Sequence, residues 1–282
     1  MNFAIIVDSS SGIKQNEFKN VFVVPMTITK KKNTQNFTYQ DGVDITQKQI
    51  FKEMEEGVVF KTASPILSKC SDLLEEIAGK YDEIYILPIP MNISGTYNQW
   101  KLLSSDYENV FVYNPKAPSW NTRWNVLDLL AMKDINHEKV EKYMNDTYGK
   151  NTMGIVLNEL KYAIRGGRIG LVKGLIATAL KLNIVLDLTV KGLEYMNKAL
   201  NVNKIFSIVS NVCCEQIKYN GNNIDRLCIY MSKVRNQKFK TETIKKLLIE
   251  GFGFKGVEFA ELPAVISVHS GPNYVGFSVR VK

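Results

Sequence analysis

The sequence predicts an α/β protein with two lobes, the first with a parallel sheet and helices and the second with a mixed sheet and helices. Three observations lead to this prediction. In the first half of the chain, short apolar runs rich in β-branched residues alternate with segments of helical spacing, which implies crossover connections and a parallel sheet. The second half contains a hairpin signal, Lys191-Gly192, between two apolar runs. A length of 282 residues is compatible with one large domain or with two domains, because a single core stops growing near this size, and we favour two.

The first lobe is predicted to begin with a buried strand and a polar loop. The apolar run at residues 3–7 ends in Asp8-Ser9-Ser10-Ser11-Gly12, which is typical of a strand that enters a loop. Ligands of open α/β sheets bind at the carboxyl ends of the strands, so such loops are candidate sites. We predict further strands at residues 21–28, 83–89 and 110–113, and helices at residues 46–55, 65–77 and 96–104.

A polar helix at residues 136–148 is predicted to connect the lobes. We place the boundary near residue 150, which gives a lobe of residues 1–150 and a lobe of residues 151–282. The second lobe is expected to pair strands in antiparallel fashion around the Lys191-Gly192 turn. Its predicted strands are residues 152–157, 184–188, 193–196, 224–231, 256–261, 264–268 and 275–281, and its predicted helices are residues 171–180, 202–213 and 240–249.

The composition limits the classes of function. The net charge of +8 comes from basic residues spread along the chain, and no element interleaves them with aromatic residues, so we expect no nucleic-acid binding. The four cysteines lack C-x-x-C spacing, and Asp8 has no second carboxylate or histidine at ligand spacing, so we expect reduced thiols and no metal. The first apolar run is too short for a signal peptide or a bilayer span, so we expect a cytoplasmic protein.

Two hydroxyl-bearing segments precede predicted helices. The segment Lys61-Thr62-Ala63-Ser64-Pro65 predicts a helix start, with Ser64 as the N-cap ahead of a first-turn proline. Thr62 lies outside this cap, and its hydroxyl could join free backbone N–H groups in binding an anion. Ser94, in Ile93-Ser94-Gly95-Thr96-Tyr97, either caps the next helix or binds an anion at its N-terminus. Two such starts in one lobe favour an anion site.

His269 is predicted to end an apolar strand, directly before the turn Ser270-Gly271-Pro272. A histidine there can donate to a carboxylate, act as a base or pack in the core. A second class of function stays open, an acyl hydrolase or acyltransferase with Ser94 or Ser270 as nucleophile and His269 as base. The sequence has no G-x-S-x-G elbow and no assignable acid to orient the histidine, which favours a binding protein over an enzyme.

Five segments of the chain form an ordered set: Asp8-Ser9-Ser10-Ser11-Gly12, Thr62-Ala63-Ser64-Pro65, Ile93-Ser94-Gly95-Thr96-Tyr97, Arg165-Gly166-Gly167-Arg168-Ile169 and His269-Ser270-Gly271-Pro272. Together they resemble the motifs of the DegV family, the bacterial fatty-acid-binding proteins. The match runs from residue 3 to residue 281 with the order and spacing of that family. The glycine-rich basic segment among them lacks the spacing of a P-loop, so it does not indicate a nucleotide site.

The resemblance implies a fold, a ligand and a set of roles. It implies a smaller parallel-sheet lobe, a larger lobe with a mixed, mostly antiparallel sheet, and one long-chain fatty acid buried between them, with no cofactor. Thr62 and Ser94 match the family positions that hydrogen-bond the carboxylate, and His269 matches the histidine near the head group. The residues with an implied supporting role are Ser10, Gly95, Thr96 and Gly271.

The resemblance also implies a partner. In the family, the bound fatty acid is presented to a separate fatty acid kinase, which forms acyl phosphate for phospholipid synthesis, and Arg165 and Arg168 would dock such a partner. Leu200 stands where the family motif has an arginine, so the use of a kinase stays open. A transient contact with a membrane surface, the acyl chain length and the oligomeric state stay open as well. Other departures from the family pattern are Pro90-Met91, Asn114-Pro115 and residues 120–124.

Overall fold

The computed structural model describes residues 2–32, 35–157, 159–168, 183–189, 192–199, 224–231 and 256–282. The helices predicted at residues 171–180, 202–213 and 240–249 lie outside these residues, as does Leu200. The chain divides into two compact units. The amino-terminal unit comprises Met1–Tyr148 and Pro263–Val265, and the carboxy-terminal unit comprises Gly149–Leu262 and Ile266–Lys282.

The described part of the amino-terminal unit contains two sheets and five α-helices. Its strands are β1 (Phe3–Asp8), β2 (Val21–Val24), β3 (Thr27–Lys32), β4 (Gln35–Gln40), β5 (Val59–Ala63), β6 (Glu83–Leu87) and β7 (Val110–Val112). Its helices are α1 (Gln47–Glu55), α2 (Leu67–Ile77), α3 (Thr96–Leu103), α4 (Trp120–Ala131) and α5 (His137–Tyr148), with short 3-10 turns at Ser9–Ser11 and Ser104–Asp106.

The first sheet consists of β2, β1, β6 and β7 in this order, and every neighbouring pair is parallel. Residues 4–7 of β1 are fully buried, because successive side chains point to opposite faces and both faces are covered. One face packs against α4 and α5, and the other packs against α2 and α3. The predicted parallel sheet with helices is therefore confirmed.

The second sheet is antiparallel, with the order β4, β3, β5, and it is not among the predicted elements. The sequence predicts one strand at residues 21–28, but β2 ends at Val24 and β3 begins at Thr27 in the other sheet. Pro25 lies at this break, where a residue without an N–H interrupts a strand ladder. The mostly exposed β4 lacks the apolar alternation by which strands are recognised.

The described residues of the carboxy-terminal unit form one mixed sheet. Its elements are β8 (Asn151–Leu157), α6 (Lys161–Arg165), β9 (Asn183–Thr189), β10 (Gly192–Ala199), β11 (Ile224–Met231), β12 (Val257–Ala260), α7 (Ala264–Ser270, which belongs to this unit from Ile266 onward) and β13 (Tyr274–Val281). The strand order in the sheet is β10, β9, β8, β13, β11, β12. All pairs are antiparallel except β11 with β12. The predicted mixed, mostly antiparallel sheet is confirmed, and β9 and β10 pair as the hairpin signal predicts.

The prediction of a strand at residues 264–268 is wrong, because Ala264–Ser270 form helix α7. A short apolar run does not distinguish a buried strand from a buried helical segment. Val265 and Val268, three residues apart as on one face of a helix, are each 2% exposed. His269 therefore lies in the last turn of a helix and not at the end of a strand.

Two further predictions concern cysteines and membrane spans. Cys70 and Cys228 are buried free thiols, whereas Cys213 and Cys214 lie outside the described residues. None of the helices that the structure describes combines the length and apolar character needed to cross a bilayer.

Candidate functional site

The carboxyl edge of the parallel sheet has a switch point between β1 and β6. From β1 the chain passes to β2 on one side, and it later enters β6 on the other side. Where connections leave a sheet in opposite directions, a crevice forms at the strand ends, and ligands of open α/β sheets bind there. The loops that border this crevice are the turn Ser9–Ser11 after β1 and residues 88–95 after β6.

Asp8 joins these two loops. Its Oδ1 accepts hydrogen bonds from the N–H and the hydroxyl of Ser10, and its Oδ2 accepts a 2.6 Å hydrogen bond from the Ile89 N–H. Burial raises the pKa of Asp8 to about 6, although the three donors act to lower it. The buried carboxylate therefore fixes the relative position of the two loops, and the Ser10 hydroxyl contributes to this contact.

Three hydroxyl groups form a chain of contacts next to the crevice. Ser94 Oγ and Thr96 Oγ1 are 2.9 Å apart, and Thr96 Oγ1 donates to Ser64 Oγ over 3.0 Å. Thr96 is fully buried, whereas Ser64 and Ser94 are half-buried. We call Ser64, Ser94 and Thr96 the hydroxyl cluster. It connects the segment before α2 with the segment before α3.

The prediction that Ser64 caps a helix is wrong. Helix α2 begins at Leu67, because Ile66 keeps an extended backbone with φ −62° and ψ 125°, and no side chain caps this helix. Ser64 Oγ accepts its hydrogen bond from Thr96 instead. At the next helix, the Thr96 N–H donates to Ser94 Oγ over 3.3 Å, so Ser94 contributes to the start of α3 as well as to the cluster.

The hydroxyl cluster has one proton more than its internal hydrogen bonds use. Each hydroxyl has a single proton to donate. Three hydroxyls joined by two hydrogen bonds therefore always leave one proton, on one of the three, for an outside acceptor. Because Thr96 donates to Ser64 in this arrangement, the remaining proton belongs to Ser64. Sequence reasoning missed Ser64 as a donor, since a serine before a proline at a helix start has the signature of an N-cap.

Thr62 lies on the covered face of the antiparallel sheet. Along β5 the side chain of Phe60 is buried, while Val59, Lys61 and Ala63 are exposed. Because strand side chains alternate between faces, Thr62 points to the same face as Phe60.

This position brings Thr62 close to the hydroxyl cluster. Thr62 is two residues from Ser64, so their Cα atoms are no more than about 7 Å apart. Ser64 is in turn connected through Thr96 to Ser94. The structure therefore places the two predicted carboxylate ligands of this unit, Thr62 and Ser94, in the same neighbourhood.

In the carboxy-terminal unit, the two glycine-containing motifs pack against each other. A Cβ added at Gly166 would lie 1.9 Å from Nδ1 of His269. A Cβ added at Gly271, where φ is +70°, would lie 2.1 Å from the ring of Tyr162. Both positions need glycine because a ring approaches the backbone closely. Gly271 is therefore required by the packing of this unit, and its implied supporting role at the ligand stays a prediction.

His269 is a neutral group in this setting. Removal from water, together with the nearby positive charge of Arg168, lowers the pKa of His269 to about 3. At pH 7 the ring therefore has one N–H donor, one acceptor nitrogen and no charge. Arg168 itself donates from Nη1 to the carbonyl of Gly166 over 2.6 Å. His269 can thus donate one hydrogen bond to an anion, but it supplies no positive charge.

The geometry gives no support to Ser270 as a nucleophile activated by His269. Ser270 Oγ lies 3.3 Å from the carbonyl of Ser267 and 3.2 Å from the carbonyl of Gly271, so its proton is directed to the backbone. Ser270 and His269 are adjacent on α7, and adjacent residues on a helix do not face each other. In the amino-terminal unit, the Ser94 hydroxyl contacts Thr96.

The remaining predicted site residues differ in how the structure uses them. Gly95 has a helical φ of −75°, and a Cβ there would meet nothing within 4 Å, so neither backbone nor packing requires glycine. Arg165 is exposed at the end of α6, whereas Arg168 is half-buried. Among the described residues, no three His, Cys, Asp or Glu side chains are grouped as a metal ion would require.

These features define an α/β protein with a hydroxyl cluster at the switch point of a parallel sheet and a second unit built on a mixed sheet. A family model described as "Uncharacterised protein, DegV family" matches residues 2–282. The chain therefore belongs to the DegV family, as its motifs predict.

Individual relatives agree with this assignment. A DegV domain-containing protein of Staphylococcus aureus (strain N315) is 25% identical over 283 residues, which cover 99% of this chain and 98% of that protein. A fatty-acid-binding DegV family protein of Thermus thermophilus superposes with a TM-score of 0.85 at 23% identity over the full length of both chains. A stearic-acid-binding protein of Eubacterium ventriosum superposes with a TM-score of 0.83 at 20% identity over 99% of this chain and 98% of that chain. The two structures establish the shared fold.

Proposed function

We propose that this protein binds one long-chain fatty acid, with the carboxylate held by the hydroxyl groups of Thr62 and Ser94. The observation that carries the proposal is the hydroxyl cluster at the switch point, which retains one proton for an outside acceptor. Ser64 joins the proposed site, because it holds that proton in the present arrangement, and Ser94 would donate to a carboxylate in exchange for its hydrogen bond to Thr96. The fatty acids bound by the Thermus thermophilus and Eubacterium ventriosum proteins support the choice of ligand.

The magnitudes separate the roles of head group and tail. An ionised carboxylate that leaves water needs several donors, since an unpaired buried charge is very costly. A hydrogen bond to a charged group contributes about 1.5–3 kcal/mol, whereas each buried methylene contributes about 0.8 kcal/mol. A long acyl chain therefore provides most of the affinity, and the hydroxyl groups decide which end of the ligand lies at the switch point.

His269 has a part in the proposal as a neutral donor. With a pKa of about 3, its ring stays neutral throughout the physiological range, so its contact with a carboxylate would be a hydrogen bond and not an ion pair. His269→Gln retains a side-chain N–H donor, whereas His269→Leu removes it. Weaker fatty-acid binding by the leucine variant alone would support this role, and equal binding by both variants would contradict it.

We propose that the protein carries its ligand and presents it to a partner, such as a fatty acid kinase, and does not transform it alone. The contacts of the two candidate nucleophiles support this proposal, because the Ser94 hydroxyl contacts Thr96 and the Ser270 hydroxyl is directed to the Ser267 carbonyl. Of the two arginines predicted to dock a partner, the exposed Arg165 is the better candidate. Arg168 is half-buried, and its guanidinium is already bonded to the Gly166 carbonyl.

The first experiment identifies the ligand. Small molecules released from the denatured, purified protein are analysed by mass spectrometry, and added long-chain fatty acids are tested for a shift in the thermal unfolding of lipid-free protein. We expect a released fatty acid and a positive shift, because a ligand that binds only the folded state stabilises it. An absence of both would contradict the proposed function.

The second experiment locates the carboxylate. Thr62→Ala with Ser94→Ala is expected to weaken fatty-acid binding at least tenfold, because lost donors leave a partly desolvated carboxylate short of hydrogen bonds. The matched control is Thr38→Ala with Ser105→Ala, which alters an exposed strand threonine and an exposed serine of the same unit. If the first double variant stays folded and copurifies with as much fatty acid as the control, the carboxylate binds elsewhere.

A further inference from the structure

Ser119 has an unusual backbone conformation at the start of helix α4. Its φ is 61° and its ψ is −128°, a region that favours glycine and is unfavourable for a residue with a Cβ. The following helix, Trp120–Ala131, has 12 residues, so its N-terminus presents a substantial positive potential. A serine in this conformation needs an explanation, because glycine would relieve the strain.

The side chain of Ser119 does not provide that explanation within the described residues. Ser119 is the N-cap residue of α4, but its hydroxyl makes no capping hydrogen bond. It is 0% exposed, and its Oγ has no hydrogen-bond partner among the residues that the structure describes. A buried hydroxyl without a partner is unfavourable, so folding alone favours neither the backbone nor the side chain of Ser119.

Ser119 lies beside the crevice that the hydroxyl cluster borders. Its N–H donates to the carbonyl of Ser10 over 2.9 Å, in the loop that follows β1. The next residue, Trp120, packs against Gly12 of the same loop, with 3.0 Å between its ring and the position of a Cβ on Gly12.

The loop before α4 also contacts the loop after β6. Asn114 Oδ1 accepts a 2.9 Å hydrogen bond from the Met91 N–H. Asp8 connects the loops after β1 and β6 through Ile89. The loops after β1, β6 and β7 are thus joined in pairs at the carboxyl edge of the sheet, and Ser119 lies in the loop after β7.

We propose that Ser119 is a further ligand-binding residue, whose hydroxyl donates to a carboxylate oxygen of the ligand at this edge of the sheet. A buried hydroxyl at a helix N-terminus suits an anionic acceptor, because the helix dipole and the free proton both favour negative charge. The carboxylate of Asp8, at the end of β1, is held by its own three donors. The inference rests on the proposed fatty-acid function, which it extends by a residue that no sequence motif indicates.

Two substitutions separate the hydroxyl from the strain. Ser119→Ala removes the hydroxyl and keeps a Cβ, whereas Ser119→Gly removes the hydroxyl and the strain together. We expect both variants to bind hexadecanoate about tenfold more weakly than the parent, as measured by displacement of a fluorescent fatty acid. Without ligand, the glycine variant should unfold about 2–4 °C above the alanine variant, because only it is relieved of the strained backbone.

A second ligand tests the chemistry of the contact. Hexadecan-1-ol has the same chain without a carboxylate, so we expect Ser119→Ala and Ser119→Gly to change its binding less than about threefold. Ser105→Ala, at an exposed serine, is the control for both ligands. Equal losses for acid and alcohol would assign Ser119 to packing and overturn the inference.

The outcomes also distinguish the inference from the proposed function. If the parent binds hexadecanoate and both Ser119 variants bind it equally well, the inference is wrong and the proposed function stands. If the parent binds no hexadecanoate, the proposed function fails and the inference fails with it. The glycine variant keeps the test decisive, since relief of a strained backbone does not threaten folding.

Discussion

Asp8→Asn should change how the stability of the amino-terminal unit depends on pH. The folded-state pKa of Asp8 is about 6, against 3.8 for an ordinary aspartate, because burial disfavours the charged form. The folded state therefore binds the proton more tightly than the unfolded chain does. Stability from this group is greatest below about pH 4 and is lost as the pH rises towards 6. Each unit of pKa difference between the unfolded and folded states corresponds to about 1.4 kcal/mol of stability. The difference between 3.8 and about 6 therefore makes the loss about 3 kcal/mol.

The asparagine variant removes this titration but has only one oxygen to accept hydrogen bonds. If that oxygen stays with Ser10, the buried Ile89 N–H loses its partner, which costs about 1–3 kcal/mol at every pH. We therefore expect the variant to be less stable than the parent at pH 4 by about that amount. Between pH 4 and pH 7 the variant should gain about 3 kcal/mol relative to the parent.

Urea unfolding followed by tryptophan fluorescence measures this difference. All three tryptophans, Trp100, Trp120 and Trp124, lie in the amino-terminal unit, so the signal reports on the unit that contains Asp8. Other acids titrate in both proteins and cancel in the comparison, and Asp106→Asn, at an exposed aspartate, serves as the control. Parallel curves of unfolding free energy against pH for parent and Asp8→Asn would refute the reasoning.

Two further predictions concern packing and catalysis. Gly154→Ala should destabilise the carboxy-terminal unit by about 1–3 kcal/mol, because the new Cβ would lie 2.2 Å from the ring of Phe277. Thermal unfolding followed by circular dichroism measures this loss. Gly149→Ala is the control and should have little effect, since its Cβ would meet nothing within 4 Å. The pure protein should not hydrolyse acyl esters over multiple turnovers, and steady hydrolysis abolished by Ser94→Ala or Ser270→Ala would instead establish an enzyme.

Local patterns predicted the buried elements better than the exposed ones. The run at residues 3–7 predicts β1 because a strand covered on both faces is apolar throughout, and the structure buries it fully. The apolar run at residues 264–268 has the same local appearance, yet its surroundings make it part of α7. The polar residues of β4 gave no signal, since this strand depends on its pairing with β3 and not on an apolar face.

In the candidate site as well, some residues had a local sequence signal and others had none. Thr62 and Ser94 could be singled out because they precede apparent helix starts in a family-like order, and their role as ligands stays a prediction. Ser64 was assigned to a cap, since its hydrogen bond comes from Thr96, 32 residues later in the chain. Ser119 gave no sequence signal at all, because a positive φ and the lack of a hydrogen-bond partner arise only from the folded structure.

The donors described at the switch point are neutral, and this affects how a carboxylate would be selected. A lysine or arginine would attract any anion, including small solutes, over a distance of about a Debye length. Hydroxyl groups act only at hydrogen-bonding distance, and they bind an acceptor well only when its position suits their geometry. Asp8, at the end of β1, has a pKa of about 6 and is therefore mostly ionised at pH 7. Its negative charge repels anions, so an anion binds here only when another interaction supplies the free energy. A site of this kind would favour an anion attached to a long apolar chain, because the chain supplies the free energy that charge attraction does not.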